Sequence, residues 1–294
     1  MKLKLKNTPE QVELIKAMGS RDPGVAREAT EAFAAFIGPV VQKVLLQAGT
    51  APLIYTDNQY DEDDSPSYPL DLYYNEGIDH IICLGDIVGY NANPVEVTYL
   101  AHSRCKAVIK GNHDRYVLGY KPKGVREEKL RVIDWTREQL TPQYLQWLGT
   151  LEDEMVYMDT FLLAHGSPRD PDEYILTTDT IKGSFKTMNE EHPGLSVCFF
   201  GHSHFPMIIG NGKVEQKFHD TRTVKLDPSK TYLINPGSLG QPRDKCPKTS
   251  FGVFDMNEWS FTVVRLDYDY EATGDTILAA GLDRGLAFRL KKGR

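Results

Sequence analysis

The chain has few cysteines, no long apolar run and no excess of basic charge, and each shortage removes a class of function. Four cysteines among 294 residues (Cys83, Cys105, Cys198 and Cys246) form no CxxC pair. The first three lie in or beside apolar runs, where a reduced thiol behaves as a small hydrophobe. Neither a disulfide framework nor a thiolate zinc site is expected. The longest apolar runs, within Asp79 to Leu84 and Ser196 to Phe200, are far shorter than the roughly 20 residues that span a bilayer. Lys and Leu alternate from Met1 to Lys6 and break at Asn7-Thr8-Pro9 without an apolar h-region, so no secretory signal is read and the cytoplasm is the expected compartment. With 34 Lys+Arg against 41 Asp+Glu, the net charge of −7 has the wrong sign for gripping a long nucleic acid. Internal repeats and low-complexity linkers are also missing. What remains, 40% hydrophobic and 26% charged, is the composition of a chain that buries a globular core.

The first fifty residues read as a helical N-terminal extension, with residues 51–294 as the main α/β domain. Thr8-Pro9-Glu10 and Asp22-Pro23 each offer an N-cap followed by proline. Val25, Ala29, Phe33 and Phe36 recur at helical spacing, and Val40, Val41, Val44 and Leu45 resume the pattern after Gly38-Pro39. From Pro52 the pattern changes to short β-type runs: LIYT, HIICLG, AVIK, TFLLA and SVCFF. Several are apolar throughout, as strands covered on both faces are. Helices are expected over Val125–Gln139 and Thr141–Leu148, a hairpin at Asn211-Gly212, a strand pair around Ser250–Leu266, and a last helix from about Tyr270 to Leu290 broken near Gly281.

The chemistry lies at the ends of the five runs. LIYT is followed by Asp57, HIICLG by Asp86, AVIKG by Asn112-His113-Asp114, TFLLA by His165, and SVCFFG by His202-Ser203-His204. Every run ends on a metal-ligand residue type. Ligand crevices of open α/β sheets lie outside the carboxyl ends of the strands, so residues spread over nearly 150 positions should meet on one rim. His202-x-His204 adds two imidazoles on the same side of an extended segment.

The ordered set GD, GNHD, H and GHSH resembles the calcineurin-like metallophosphoesterase superfamily, whose motifs are DxH, GDxx, GNHD/E, H and GHxH. Similarity extends through Gly89-Tyr90, Ser167-Pro168-Arg169-Asp170, Asn235-Pro236-Gly237-Ser238, Gln241-Pro242-Arg243 and Ala280-Gly281-Leu282, which look like the small bacterial and archaeal phosphodiesterase branch. The resemblance implies a four-layer α-β-β-α sandwich of two mixed sheets flanked by helices. It also implies two metal ions with a bridging hydroxide. Asp57, Asp86 and His204 would hold the first ion; Asp86, Asn112, His165 and His202 would hold the second, with Asp86 shared. His113 would protonate the leaving group or hold the phosphate, and Asp114 would orient its ring. Arg243 and Tyr90 could contact substrate or serve packing.

The first motif departs from the family pattern, reading Asp57-Asn58-Gln59 where Asp-x-His is expected. Gln59 either donates its side-chain oxygen to the first ion or leaves that site weak and easily emptied, and both outcomes favour manganese, iron or magnesium over zinc. The run Asp61-Glu62-Asp63-Asp64 is expected to be a solvated loop near the mouth of the site. The implied reaction is hydrolysis of a small phosphodiester. The alternatives are a phosphomonoesterase, with a phosphoprotein among its substrates, and a metal-binding interaction module with little turnover. No separate cofactor beyond the ions, no long nucleic acid and no membrane partner are expected; a homo-oligomer could form through the N-terminal helices.

Overall fold

A strand with an apolar side chain on both faces must be covered twice, and the fold does this by stacking two sheets between helices. The computed structural model describes residues 43–47, 78–120 and 127–294. Among them are twelve strands: β1 (Lys43–Gln47), β2 (His80–Cys83), β3 (Ala107–Val108), β4 (Glu154–Tyr157), β5 (Phe161–Ala164), β6 (Val197–Phe200), β7 (Met207–Gly210), β8 (Lys213–Lys217), β9 (Arg222–Lys225), β10 (Tyr232–Asn235), β11 (Thr249–Asp255) and β12 (Ser260–Leu266). Seven helices accompany them: α1 (Pro94–Arg104), α2 (Asn112–Val117), α3 (Glu127–Gln139), α4 (Pro142–Thr150), α5 (Thr178–Glu191), α6 (Tyr270–Ala279) and α7 (Arg284–Lys292). One sheet runs β3-β2-β1-β11-β12-β9 and the other β4-β5-β6-β10-β7-β8. Both are mixed: β1, β2 and β3 are parallel, as are β5, β6 and β10, and antiparallel strands complete each sheet.

The layers follow from period-two alternation along the strands. Ile82, Phe161, Leu163, Val197, Phe199, Ile208, Phe254, Phe261 and Val263 point between the sheets into one core. Their neighbours turn outward. Cys83 and Val108 meet Val97, Ala101, Val117, Ile133 and Leu148 of α1 to α4, while Leu162, Ala164, Cys198 and Phe200 meet Ile181 and Met188 of α5. The result is the expected α-β-β-α sandwich.

Several elements appear where the sequence places them. Thr141 caps α4 by accepting a hydrogen bond from the Tyr144 amide at 3.3 Å, with Pro142 in the first turn. Asn211 and Gly212, at φ +48° and +79°, join β7 to β8 as a primed hairpin turn requires. The C-terminal helix breaks into α6 and α7 around Gly281.

One expectation is corrected. Lys43–Gln47, which includes Val44 and Leu45 of the expected helical extension, is a strand in the middle of the first sheet. It runs parallel to β2, with Val44 opposite His80, and antiparallel to β11, with Val44 opposite Phe254. Between two neighbouring strands the segment gains two rows of ladder hydrogen bonds, which outweighs its helical spacing. The remainder of the extension, residues 1–42 and 48–50, lies outside the described residues, as do LIYT and the acidic run at 61–64. Helices α1 and α5 are not among the helices expected from the sequence. Their buried faces mix apolar with polar residues (Thr98 in α1, Ser184 and Thr187 in α5), which blurs the stripe that marks a helix.

Candidate metal centre

Strands β2, β3, β5 and β6 all end on one rim, and the turns after them pack backbone against backbone. Gly85 has φ +84°, and a Cβ on Gly111 would lie 2.1 Å from the Asp86 amide nitrogen and 2.4 Å from its Oδ1. Only glycine admits that approach. Asp86, His202 and His204 themselves adopt left-handed conformations, at φ +58°, +57° and +54°. Such backbone is costly for residues with a Cβ, and it turns all three side chains into the rim.

Asp86 is fully buried, with its two oxygens on different sets of partners. Oδ1 accepts the His113 backbone N–H at 2.9 Å and lies 3.3 Å from His165 Nε2. Oδ2 accepts the Tyr90 hydroxyl at 2.9 Å and lies 3.5 Å from His204 Nε2. Asn112 Oδ1 is 3.1 Å from His165 Nε2 and 2.9 Å from His202 Nδ1. Two rings are oriented from behind: His165 Nδ1 bonds the Leu84 carbonyl at 2.7 Å and His204 Nδ1 the Gln241 carbonyl at 2.7 Å. The Asn235 amide braces the His202–His204 turn, donating to the Gly201 carbonyl at 2.6 Å and to Ser203 Oγ at 3.1 Å.

Electrostatics favour lone pairs here. Burial holds His202 down to about 2 and His204 to about 4, so both rings are neutral at pH 7. Burial alone would raise Asp86, but the surrounding His165, His113 and His204 hold it well below the usual carboxylate range. A carboxylate, a carboxamide oxygen and three imidazoles thus converge in a dry pocket. Ligand atoms of Asp86, His165 and His202 all lie within 4.8 Å of one another. His202 Nε2 and His204 Nε2 are buried without a hydrogen-bond partner. Buried nitrogens of this kind are normally satisfied, and a cation is the partner this donor set fits.

Comparison with known proteins agrees with the geometry. Residues 66–258 match the model of the calcineurin-like phosphoesterase superfamily domain, well over half of the chain. The chain belongs to this superfamily. It is 34% identical over 227 residues to an uncharacterized protein of Methanocaldococcus jannaschii, spanning 75% of this chain and 89% of that one. A metallophosphoesterase from Sphaerobacter thermophilus superposes with a TM-score of 0.72 at 28% identity, covering 87% of this chain and 100% of that one. A hypothetical protein from Pyrococcus horikoshii shares the fold, with a TM-score of 0.65 at 19% identity over 86% of this chain and 98% of that one. The calcineurin-like phosphoesterases are metal-dependent hydrolases of phosphoesters, and the cluster of Asp86, His165 and His202 could hold such an ion.

Asp86, Asn112, His113, His165, His202 and His204 come together as the motifs require; Asp57 and Gln59 lie outside the described residues. The role expected of Asp114 is corrected. Its carboxylate accepts the Val88 amide at 3.1 Å and the Gly111 amide at 2.8 Å, and His113 Nδ1 instead lies 2.9 Å from the Gly89 carbonyl. In the first turn of α2 an aspartate finds unpaired amides closer than the ring beside it in sequence. Burial and the charge of Asp86 push Asp114 up to about 7, against the pull of the amides of Gly111 and Val88. Tyr90 is part of the centre, stacked on His113 at 3.7 Å between ring centroids. Sequence reasoning passed over Tyr174 altogether, whose ring lies 3.9 Å from that of His202. No motif or spacing marks it. Asn235 and Gln241 fall in segments noted for similarity, but their bracing contacts emerge only in the fold. Among the described residues no helix is long and apolar enough to cross a membrane.

Proposed function

We propose that this phosphoesterase is a phosphodiesterase acting on a small phosphodiester with two metal ions, Mn2+ and/or Fe in preference to Zn2+ or Mg2+. The observation that carries the reading is the divided Asp86 carboxylate, with Oδ1 toward His165 and Oδ2 toward His204. One ion would lie with Asp86, Asn112, His165 and His202, the other with Asp57, Gln59, Asp86 and His204. Oxygen donors make up half of the first set and most of the second, which suits manganese and iron. When bound, such a pair supplies Lewis-acid stabilisation of the phosphoryl group and lowers the pKa of a water.

The chain's own residues supply the remainder. A carbonyl only accepts, so the contact with Gly89 puts the proton of neutral His113 on Nδ1 and leaves Nε2 as the atom that exchanges one. Stacking on Tyr90 stops the ring from turning. Burial holds His113 well below its ordinary value, and an arriving phosphate anion raises it toward the range in which it protonates a leaving oxygen. Asp114 fixes the turns at 88 and 111 on which His113 is mounted. The net charge of −7 supports a small substrate over a long polyanion. The cytoplasm is the compartment that goes with this reading, and a homo-oligomer could form through the N-terminal extension.

Metal analysis of the purified protein, followed by assays on matched mono- and diesters with each metal, tests the proposal. We expect turnover to vanish on chelation, to return with Mn2+ or Fe, and to favour the diester. Faster monoester hydrolysis with every metal would replace the diesterase by a monoesterase, and metal binding without turnover would leave an interaction module.

A further inference from the structure

Beside the centre lies a cation that no carboxylate among the described residues contacts. The Arg243 guanidinium donates to the Tyr90 hydroxyl at 3.1 Å, the Tyr174 hydroxyl at 3.3 Å, Gln241 Oε1 at 3.4 Å and the His202 carbonyl at 3.5 Å. All four acceptors are neutral oxygens, and no carboxylate among the described residues pairs with it. Other arginines differ: Arg115 contacts Asp153 and Asp172, and Arg265 lies 2.9 Å from Asp244. A half-buried guanidinium held open beside a cation site is repelled by that site unless an anion lies between them.

Tyr174 continues the same structure outward. One ring face rests on His202, tilted 30° with centroids 3.9 Å apart, and its hydroxyl is tied to Arg243. The side chain is still 43% exposed. Exposed aromatics taken singly carry no meaning, but this one is fixed at both its inner face and its tip, leaving a rigid open face. Polar contacts run without interruption from Asp86 through Tyr90 and Arg243 to Tyr174 at the surface.

We propose that Arg243 and Tyr174 form the substrate-reading wall of this site: Arg243 takes a phosphoryl oxygen, and the open face of Tyr174 stacks a planar aromatic group of the ester, such as a nucleoside base. The proposal rests on the phosphoesterase reading of the site and narrows its substrate class. A guanidinium fork matches phosphate oxygens, and a tyrosine face rewards a flat ring over a saturated one of equal size.

Phosphonates carry an unhydrolysed P–C bond, so calorimetric titration with methyl-, cyclohexyl- and phenylphosphonate tests the wall without turnover. The metal-loaded protein should bind phenylphosphonate about fivefold more tightly than cyclohexylphosphonate. Tyr174→Leu should erase that preference, and Tyr174→Phe, which keeps the ring without the hydroxyl, should retain it. Arg243→Met should weaken all three ligands by about tenfold or more at unchanged metal content, with Arg243→Lys in between. Equal binding of phenyl- and cyclohexylphosphonate, or a preference that survives Tyr174→Leu, overturns the proposal. So does a loss in Arg243→Met that merely tracks lost metal. An inactive protein that keeps the phenyl preference fails the diesterase reading alone; an active diesterase without it fails this proposal alone.

Discussion

The two sheets bring different chemistry to the rim where they meet. Asp86 and Asn112, after β2 and β3, supply a carboxylate and a carboxamide oxygen. His165, His202 and His204, after β5 and β6, supply imidazoles. Among the described residues the one cluster of candidate ligands, Asp86, His165 and His202, draws on both sheets, and the contact of Asn112 Oδ1 with His202 Nδ1 also crosses from one to the other. The centre is therefore as rigid as the apolar core that joins the sheets. It contains the interlocked rings of Phe161, Phe199 and Phe254, with centroids 5.2 to 5.6 Å apart. Oxygen donors from one layer and nitrogen donors from the other, joined by aromatic packing, make a site whose failure modes can be separated.

The largest expected effect comes from Asp86→Asn, which removes the carboxylate whose two oxygens face His165 and His204. We expect loss of metal and a fall in turnover of more than about 10³-fold, ~4 kcal/mol in the barrier. His204→Ala and His165→Ala, each weakening one side, should cost less. Two tightly held ions and ordinary turnover in Asp86→Asn would show that the carboxylate does not join the halves. Next is His113→Ala, which touches neither donor set. Its metal content should stay intact while hydrolysis of a poor leaving group falls about 10²–10³-fold, and esters with good leaving groups should suffer less. An equal loss on both kinds of ester would take His113 out of proton transfer.

The third variant tests the packing between the halves. Phe254→Ala deletes a fully buried ring that packs on Phe161, Phe199 and Trp259, and should lower unfolding stability by about 3 kcal/mol in urea titration. Metal affinity should fall with it although no donor is altered. Leu278→Ala, at an exposed position, should change neither by more than about 0.5 kcal/mol. Metal affinity that ignores Phe254→Ala would mean the rim is held by its own turns rather than by the core.

What the sequence disclosed about this arrangement depended on how local the signal was. Apolar-throughout runs ending on Asp, Asn or His are a local pattern, and they located both sheets and the donors at 86, 112, 165, 202 and 204. Lys43–Gln47 was misread because two neighbouring strands, β2 and β11, decide its conformation, and neither is visible in its own spacing. Asp114 was misassigned because adjacency in a motif suggests contact, whereas the first turn of α2 aims the carboxylate at backbone amides. Tyr174 gains its meaning only when the fold brings residues 202 and 243 to it, so no one-dimensional pattern contains it.

The smallest expected effect sharpens the contrast between the donor sets. Gln59 precedes β2 in the sequence and stands where the family pattern has histidine, so the donor set proposed for the first motif carries an oxygen in place of a nitrogen. Gln59→His should return one imidazole to that set and tighten one ion about tenfold, equivalent to ~1.4 kcal/mol. Zinc and iron should gain more than magnesium, since imidazole suits the former and oxygen the latter. The other ion, with His165 and His202 already in place, should be unaffected. Turnover is the wrong measurement, because a tighter ion also makes a bound water more acidic and its conjugate base less nucleophilic. Competitive metal titration isolates the ligand itself. A change confined to one ion assigns Gln59 to the oxygen-rich set; unchanged affinities and unchanged metal order would remove Gln59, and with it the reading of Asp57-Asn58-Gln59 as the first motif.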